Sequence, residues 1–245
     1  MYYKVTRANG GSYYNPDTKY EVGKTIVKPK KQNPEICTSD VLHASERAIN
    51  ALNYGKIKDL KVFKVSGKVV VSRKDKSGFF RLKVLSEIPE SKWDEVFGFK
   101  ISEARNPINP MKIETIPTEN DWKLVDSWAS VWDSVGASVW VSVWDSVGAS
   151  VGNSVWDSVW DSVGASVGDS VWDPVWAYIG SLFPNVKKWK GVKHKGGEYP
   201  FQPGVDLWKR GMIPVFYQEE WKLVSFKADK AIIHERPHSK EMKKE

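Results

Sequence analysis

At 245 residues, 41% of them hydrophobic and 27% charged, the chain carries enough apolar content for a buried core and does not have the composition of a disordered segment. A single cysteine, Cys37, excludes an internal disulfide and a multi-cysteine zinc site, and it points to a reducing compartment. The net charge of +7 is unevenly placed: residues 1–126 hold 23 basic against 16 acidic residues, 127–181 hold six Asp and no Lys or Arg, and the remainder holds 14 basic against 8 acidic.

Three segments follow, with an α+β fold class expected: a small mixed N-terminal module with a connector (1–116), a tetrapeptide-repeat segment (117–183), and a small basic α+β module (184–245). Tyr2 to Thr6 is β-favouring, Asn9, Gly10 and Gly11 make a turn, and Tyr20 to Val27 resumes an extended run. Ser39 to Leu52 reads as a helix, with Val41, Leu42, Ala48, Ile49 and Leu52 near one face. Lys61 to Ser72 and Phe79 to Leu85 read as strands joined by a turn at Asp75 to Gly78, and the module closes near Glu90. Trp93, Val96, Phe97 and Ile101 suggest a short amphipathic helix within a connector.

Tyr20, Val22, Gly23 and Lys24, then Cys37 with Leu42, His43, Ala44 and Ser45, then Val65, Gly67, Asp75, Lys76 and Arg81, carry a resemblance. This pattern resembles an uncharacterised module of phage and bacterial genomes with a Cys, an apolar-His-Ala box and a later Asp-Lys pair, over about the first 90 residues. Val41 stands where that module usually has Gly, and Ser45 where it often has Cys. The resemblance implies a phage or mobile-element origin, hence the cytoplasm of a host cell, and brings no established activity. Two readings of the box stay open: His43, with Cys37 and Ser45, as the centre of an ADP-ribosyltransferase-like or other transferase site, or His43 as a helix-start residue bonding backbone with Cys37 as a small buried apolar residue. Phosphate-binding Gly loops, zinc spacings and Gly-x-Ser-x-Gly elbows are absent, so neither cofactor nor metal is expected.

From Ser127 to Ser181 a unit of the form Ser-Val-(Trp or Gly)-(Asp or Ala) recurs, similar to tandem arrays in environmental and phage reading frames. Such a repeat is an architectural signal. Thr118, following Pro117, with Glu119 and Asp121, forms a helix-start signature, while Asp173 and Pro174 open a second helix that Pro184 ends. Between them the period is ambiguous. Four residues against 3.6 per turn rotate the Val line by about 40° per unit, which favours broken helices, while a β-solenoid would stack identical residues. The constant Val is the core candidate. Self-association or protein binding through the repeat is the expected role, and no stretch is apolar enough to span a membrane.

Beyond the repeat, Val205 to Arg210 reads as a helix stopped by Gly211, Ile213–Gln218 with Glu220–Ser225 as a hairpin, and Lys230 to Glu235 as a further strand. Lys187, Lys188, Lys190, Lys193 and Lys195 around Trp189 form the candidate nucleic-acid surface. A non-enzymatic interaction or scaffold protein is the leading reading.

Overall fold

A computed structural model of the chain describes residues 1–52, 56–135, 138–147, 155–160, 172–193, 198–228 and 230–237. Its mixed architecture divides into a unit built on Met1–Arg105 and another on Asn106–Gly152 and Trp156–Glu245. No helix among the described residues is long and apolar enough to cross a membrane.

In the first unit, strands β1 (Tyr2–Thr6), β2 (Thr25–Val27), β4 (Lys61–Ser66) and β7 (Arg81–Glu87) form an antiparallel sheet in the order β1-β4-β7-β2. A second sheet has the order β3-β6-β5, from Leu42–Ala44, Lys76–Phe79 and Val69–Arg73. Alternation is clear in the first sheet, where Leu82 and Val84 of β7 are buried while Arg81 and Lys83 are exposed; in the second, β6 is buried at every position. Leu42, Ala44 and Phe79 from one sheet share a core with Phe63, Val65, Leu82 and Val84 from the other, closed by Tyr20. The edge strands β1 and β3 are tied together beyond β3, where Tyr3 and Ser45 exchange backbone hydrogen bonds of 2.7 and 2.9 Å.

Several sequence expectations change here. The single strand expected over Lys61 to Ser72 is two, broken at Gly67, whose added Cβ would lie 2.3 Å from the Arg81 carbonyl oxygen. Only glycine lets the chain pass there. The turn expected over Asp75 to Gly78 is confined to Lys74 and Asp75, because β6 starts at Lys76 and pairs with Arg73. The helix expected from Ser39 to Leu52 is strand β3 followed by a short helix α1 (Ala48–Leu52). Leu42 and Ala44 fit a helical face and an alternating strand equally well, and pairing with β6 decides for the strand. Of Tyr20 to Val27 only Thr25–Val27 is strand. Beyond β7, α2 (Trp93–Phe97) ends at the left-handed Gly98 and α3 (Ile101–Arg105) follows, so the expected single helix is two.

The second unit opens with α4 (Glu119–Ser134), whose start at Thr118 matches the expected cap: the Thr118 N–H and hydroxyl donate to Asp121 Oδ2 at 2.7 and 2.6 Å. The described residues of the repeat beyond α4 lie mainly in α5 (Val139–Val147), α6 (155–160) and α7 (Trp172–Ser181). These are helices, and no solenoid closure is seen in the sheets. The breaks address the period mismatch. Along α5, Val139 and Val143 are fully buried, and Val147, a further 40° or so around the axis, is only half-buried. Helix α8 (Gln202–Lys209) packs on α4 and α7. Gly204 makes room for the Trp128 indole, since a Cβ there would lie 2.5 Å from the ring. Gly211, at φ +79°, follows the helix as expected. Strands β8 (Ile213–Tyr217), β9 (Glu220–Lys227) and β10 (Lys230–His234) make an antiparallel meander at the expected places. Trp122, Val125, Leu207, Met212 and Leu223 form the core between helices and sheet.

Candidate functional site

The first unit holds a pocket of about 540 Å³ lined by residues that include Cys37, His43 and Ser45, so the fold gathers the three residues of the box around one cavity. The geometry among them is specific. Cys37 has a left-handed backbone, φ +72°, and its N–H donates to Nε2 of His43 at 3.1 Å. That bond places the imidazole proton on Nδ1. Burial, aided by the charges of Lys4 and Lys76, lowers the His43 pKa to about 4, so the ring is neutral at physiological pH. Ser45 is buried and its backbone joins the two sheets through Tyr3.

Cys37 is exposed, a correction to its reading as a buried apolar residue. The cause is the turn that its left-handed backbone makes, held by His43 from six residues away. The Lys76 ammonium, hydrogen-bonded to the thiol, holds it below its ordinary range against the opposing effect of desolvation, with Arg73 assisting from 3.6 Å. The thiol therefore favours its thiolate form more than a free cysteine does. His43 is likewise no helix-start residue, since it sits in the middle of β3, although it does bond backbone as that reading held.

Of the pocket's cations, sequence reasoning named only Lys76, in the Asp-Lys pair of the resemblance. Lys4, Lys28, Arg73 and Lys76 line it, and none of its lining residues is Asp or Glu. Lys4 is the least expected. Its partner across β1 and β4 is the core residue Phe63, and its ammonium sits 5.1 Å from the centroid of the buried Tyr20 ring. The signal available in sequence was a lysine in the alternation Tyr2, Lys4, Thr6, whose value depends on knowing which face of β1 turns inward.

The second unit distributes the remaining candidates. Trp189 is buried and packs edge-on against Tyr199 at 4.9 Å, so its ring is spent inside the fold. Lys190 pairs with Asp145 at 2.6 Å, Lys187 donates to the Pro184 carbonyl, and Lys188 and Lys193 are exposed. Lys195 lies outside the described residues. The repeat tryptophans converge: Trp156 stacks on Trp160, Trp172 and Trp176 at 4.8 to 5.0 Å, and Trp176 also meets Trp140 and Trp144. Asp173 joins two breaks of the repeat, accepting from the Trp132 indole at 2.8 Å and from the Val139 N–H at 3.1 Å. Among the described residues no group of three His, Cys, Asp or Glu could hold a metal ion.

No family model matches the chain, and no curated protein or solved structure matches it significantly. Its function is therefore read from the chemistry of its own surfaces.

Proposed function

We propose that the chain is a non-enzymatic interaction protein, of the phage or mobile-element type that its N-terminal resemblance implies, whose repeat-bearing unit self-associates through a tryptophan edge. The observation that carries this reading is a contrast within the described repeat. Val139, Val143 and Val175 are fully buried, while Trp132, Trp140 and Trp172 keep 37%, 43% and 39% of their surface exposed. Trp140 and Trp172 are rooted in the indole cluster, so they offer rigid aromatic edges at little entropic cost, the kind of anchor on which interfaces depend.

Charge favours a second copy of the chain as the occupant. The repeat carries only Asp, and the segments on either side of it are strongly basic, so the acidic face of one copy complements the basic face of another. The Cys37–His43 geometry fits the same reading: the acceptor nitrogen of the imidazole is taken by a backbone N–H, and a transferase using His43 as a base would have to release it first.

Sedimentation velocity of the full chain over a concentration series tests the proposal. Self-association is expected for the natural sequence and is weakened in Trp140→Ser, with the far-UV circular dichroism unchanged. A natural chain that stays monomeric throughout overturns it.

A further inference from the structure

The pocket of the first unit carries chemistry that the self-association does not use. Two of its cations have partners of their own: Arg73 pairs with Asp75 at 3.2 Å and donates to the Cys37 sulfur, and Lys76 is hydrogen-bonded to the Cys37 thiol. Lys4 differs from both. It lines the cavity half-buried on β1, opposite the core residue Phe63, and among the described residues no carboxylate pairs with it; its ammonium lies against the face of the Tyr20 ring. Burial and the nearby charge of Lys76 lower its pKa to about 8, so near neutral pH its free amine is more abundant than that of an ordinary lysine by on the order of a hundredfold. A desolvated amine beside a second cation is the setting in which lysine becomes a nucleophile.

The same cavity gathers unpartnered hydroxyls. Ser12, Tyr20 and Ser45 line it, each no more than 8% exposed, and their side-chain oxygens make no hydrogen bond among the described residues. Burial alone pushes the Tyr20 phenol above its ordinary range. Buried hydroxyls are ordinarily satisfied, so three unpartnered ones on the wall of one cavity point to the polar groups of a ligand.

We propose that this pocket binds a small hydroxylated aldehyde, covalently and reversibly, as an imine of Lys4. The free amine attacks the carbonyl carbon; a C–N bond forms as the C=O π pair moves to oxygen, and a proton passes from nitrogen to that oxygen to give a carbinolamine. The nitrogen lone pair then expels the hydroxyl, protonated by solvent, as water, and the nitrogen returns its remaining proton to solvent. One water is released and nothing is oxidised or reduced. Ser12, Tyr20 and Ser45 bind the ligand's hydroxyls, and a volume of about 540 Å³ has room for a chain of several carbons. Lys76, buried and engaged with the Cys37 thiol, is not the nucleophile.

The experiment is reductive trapping: the full chain is incubated near neutral pH with cyanoborohydride and either glyceraldehyde or propanal, then digested, and the label on each lysine is quantified by mass spectrometry. The exposed Lys188 is the internal reference, so the intrinsic reactivity of each aldehyde cancels. Lys4 is expected to label about tenfold faster than Lys188, and this preference to be several-fold greater for glyceraldehyde than for propanal. Tyr20→Phe keeps the ring beside Lys4 and removes its hydroxyl; with its folding checked by circular dichroism, it is expected to lower the glyceraldehyde preference about threefold and to leave that for propanal unchanged. Lys4 labelled no faster than Lys188, or a preference equal for the two aldehydes in the natural chain, overturns the proposal.

Discussion

Asp121 places a fully buried carboxylate 2.8 Å from the Arg210 guanidinium while accepting from the backbone and hydroxyl of Thr118. One side chain thus caps the first helix of the second unit and fixes it to the end of α8. Sequence proximity explains the capping half, and the Arg210 half exists only because α4 and α8 pack together. The carboxylate has 0% exposure, so it depends on these partners for the solvation it has lost.

Asp121→Ala removes the capping acceptor and leaves Arg210 without its partner. The expected cost is about 3 kcal/mol in urea unfolding of the full chain, the sum expected for a lost cap and a broken, partly buried ion pair. A cost below about 0.5 kcal/mol, the range of ordinary surface substitutions, would show that the pair contributes little.

The drift of the repeat along α5 makes a sharper contrast between chemically identical residues. Val143 is fully buried and Val147 half-buried, four residues later in the same helix. Val143→Ala is expected to cost about 2 kcal/mol and Val147→Ala less than half of that, measured by the same unfolding assay. Equal costs would mean that the period mismatch is absorbed by the helix and does not rotate the Val line out of the core.

What could be read in the sequence was what local chemistry decides. Thr118 after Pro117 announces a helix, and the alternation on either side of Gln218 and Glu219 announces the β8–β9 hairpin, because capping and turn formation involve residues within a few positions of each other. The repeat was legible in its core residue and ambiguous in its structure, since a four-residue period suits both a winding helix and a stacked coil. Short helices resolve it by stopping before the Val line leaves the core. Leu42 and Ala44 could not be assigned without their partner β6. The pocket was legible only in part: Cys37, His43 and Ser45 are neighbours in sequence, whereas Lys4, Arg73 and Lys76 come from three separate strands and meet them through register alone.

Lys4 allows the cost of the pocket to be measured directly. Burial, with the charge of Lys76 added, lowers its pKa from the ordinary 10.5 to about 8. Below about 8 the ammonium is charged in both the folded and the unfolded chain, and the folded chain bears the full penalty of holding it in the cavity. Between about 8 and 10.5 the folded chain releases its proton while the unfolded chain keeps it, so stability from this group rises with pH across that window. Lys4→Met keeps most of the unbranched side chain and removes the charge. Near neutral pH it is expected to stabilise the first unit by about 2 kcal/mol, a value discounted for the side chain's partial contact with solvent. The gain should shrink toward zero as the pH passes 10.5, and thermal unfolding of the two proteins across that range measures it. A variant that is less stable than the natural chain near neutral pH would mean that the Lys4 ammonium is satisfied by its surroundings, the Tyr20 ring among them, and carries no burial penalty.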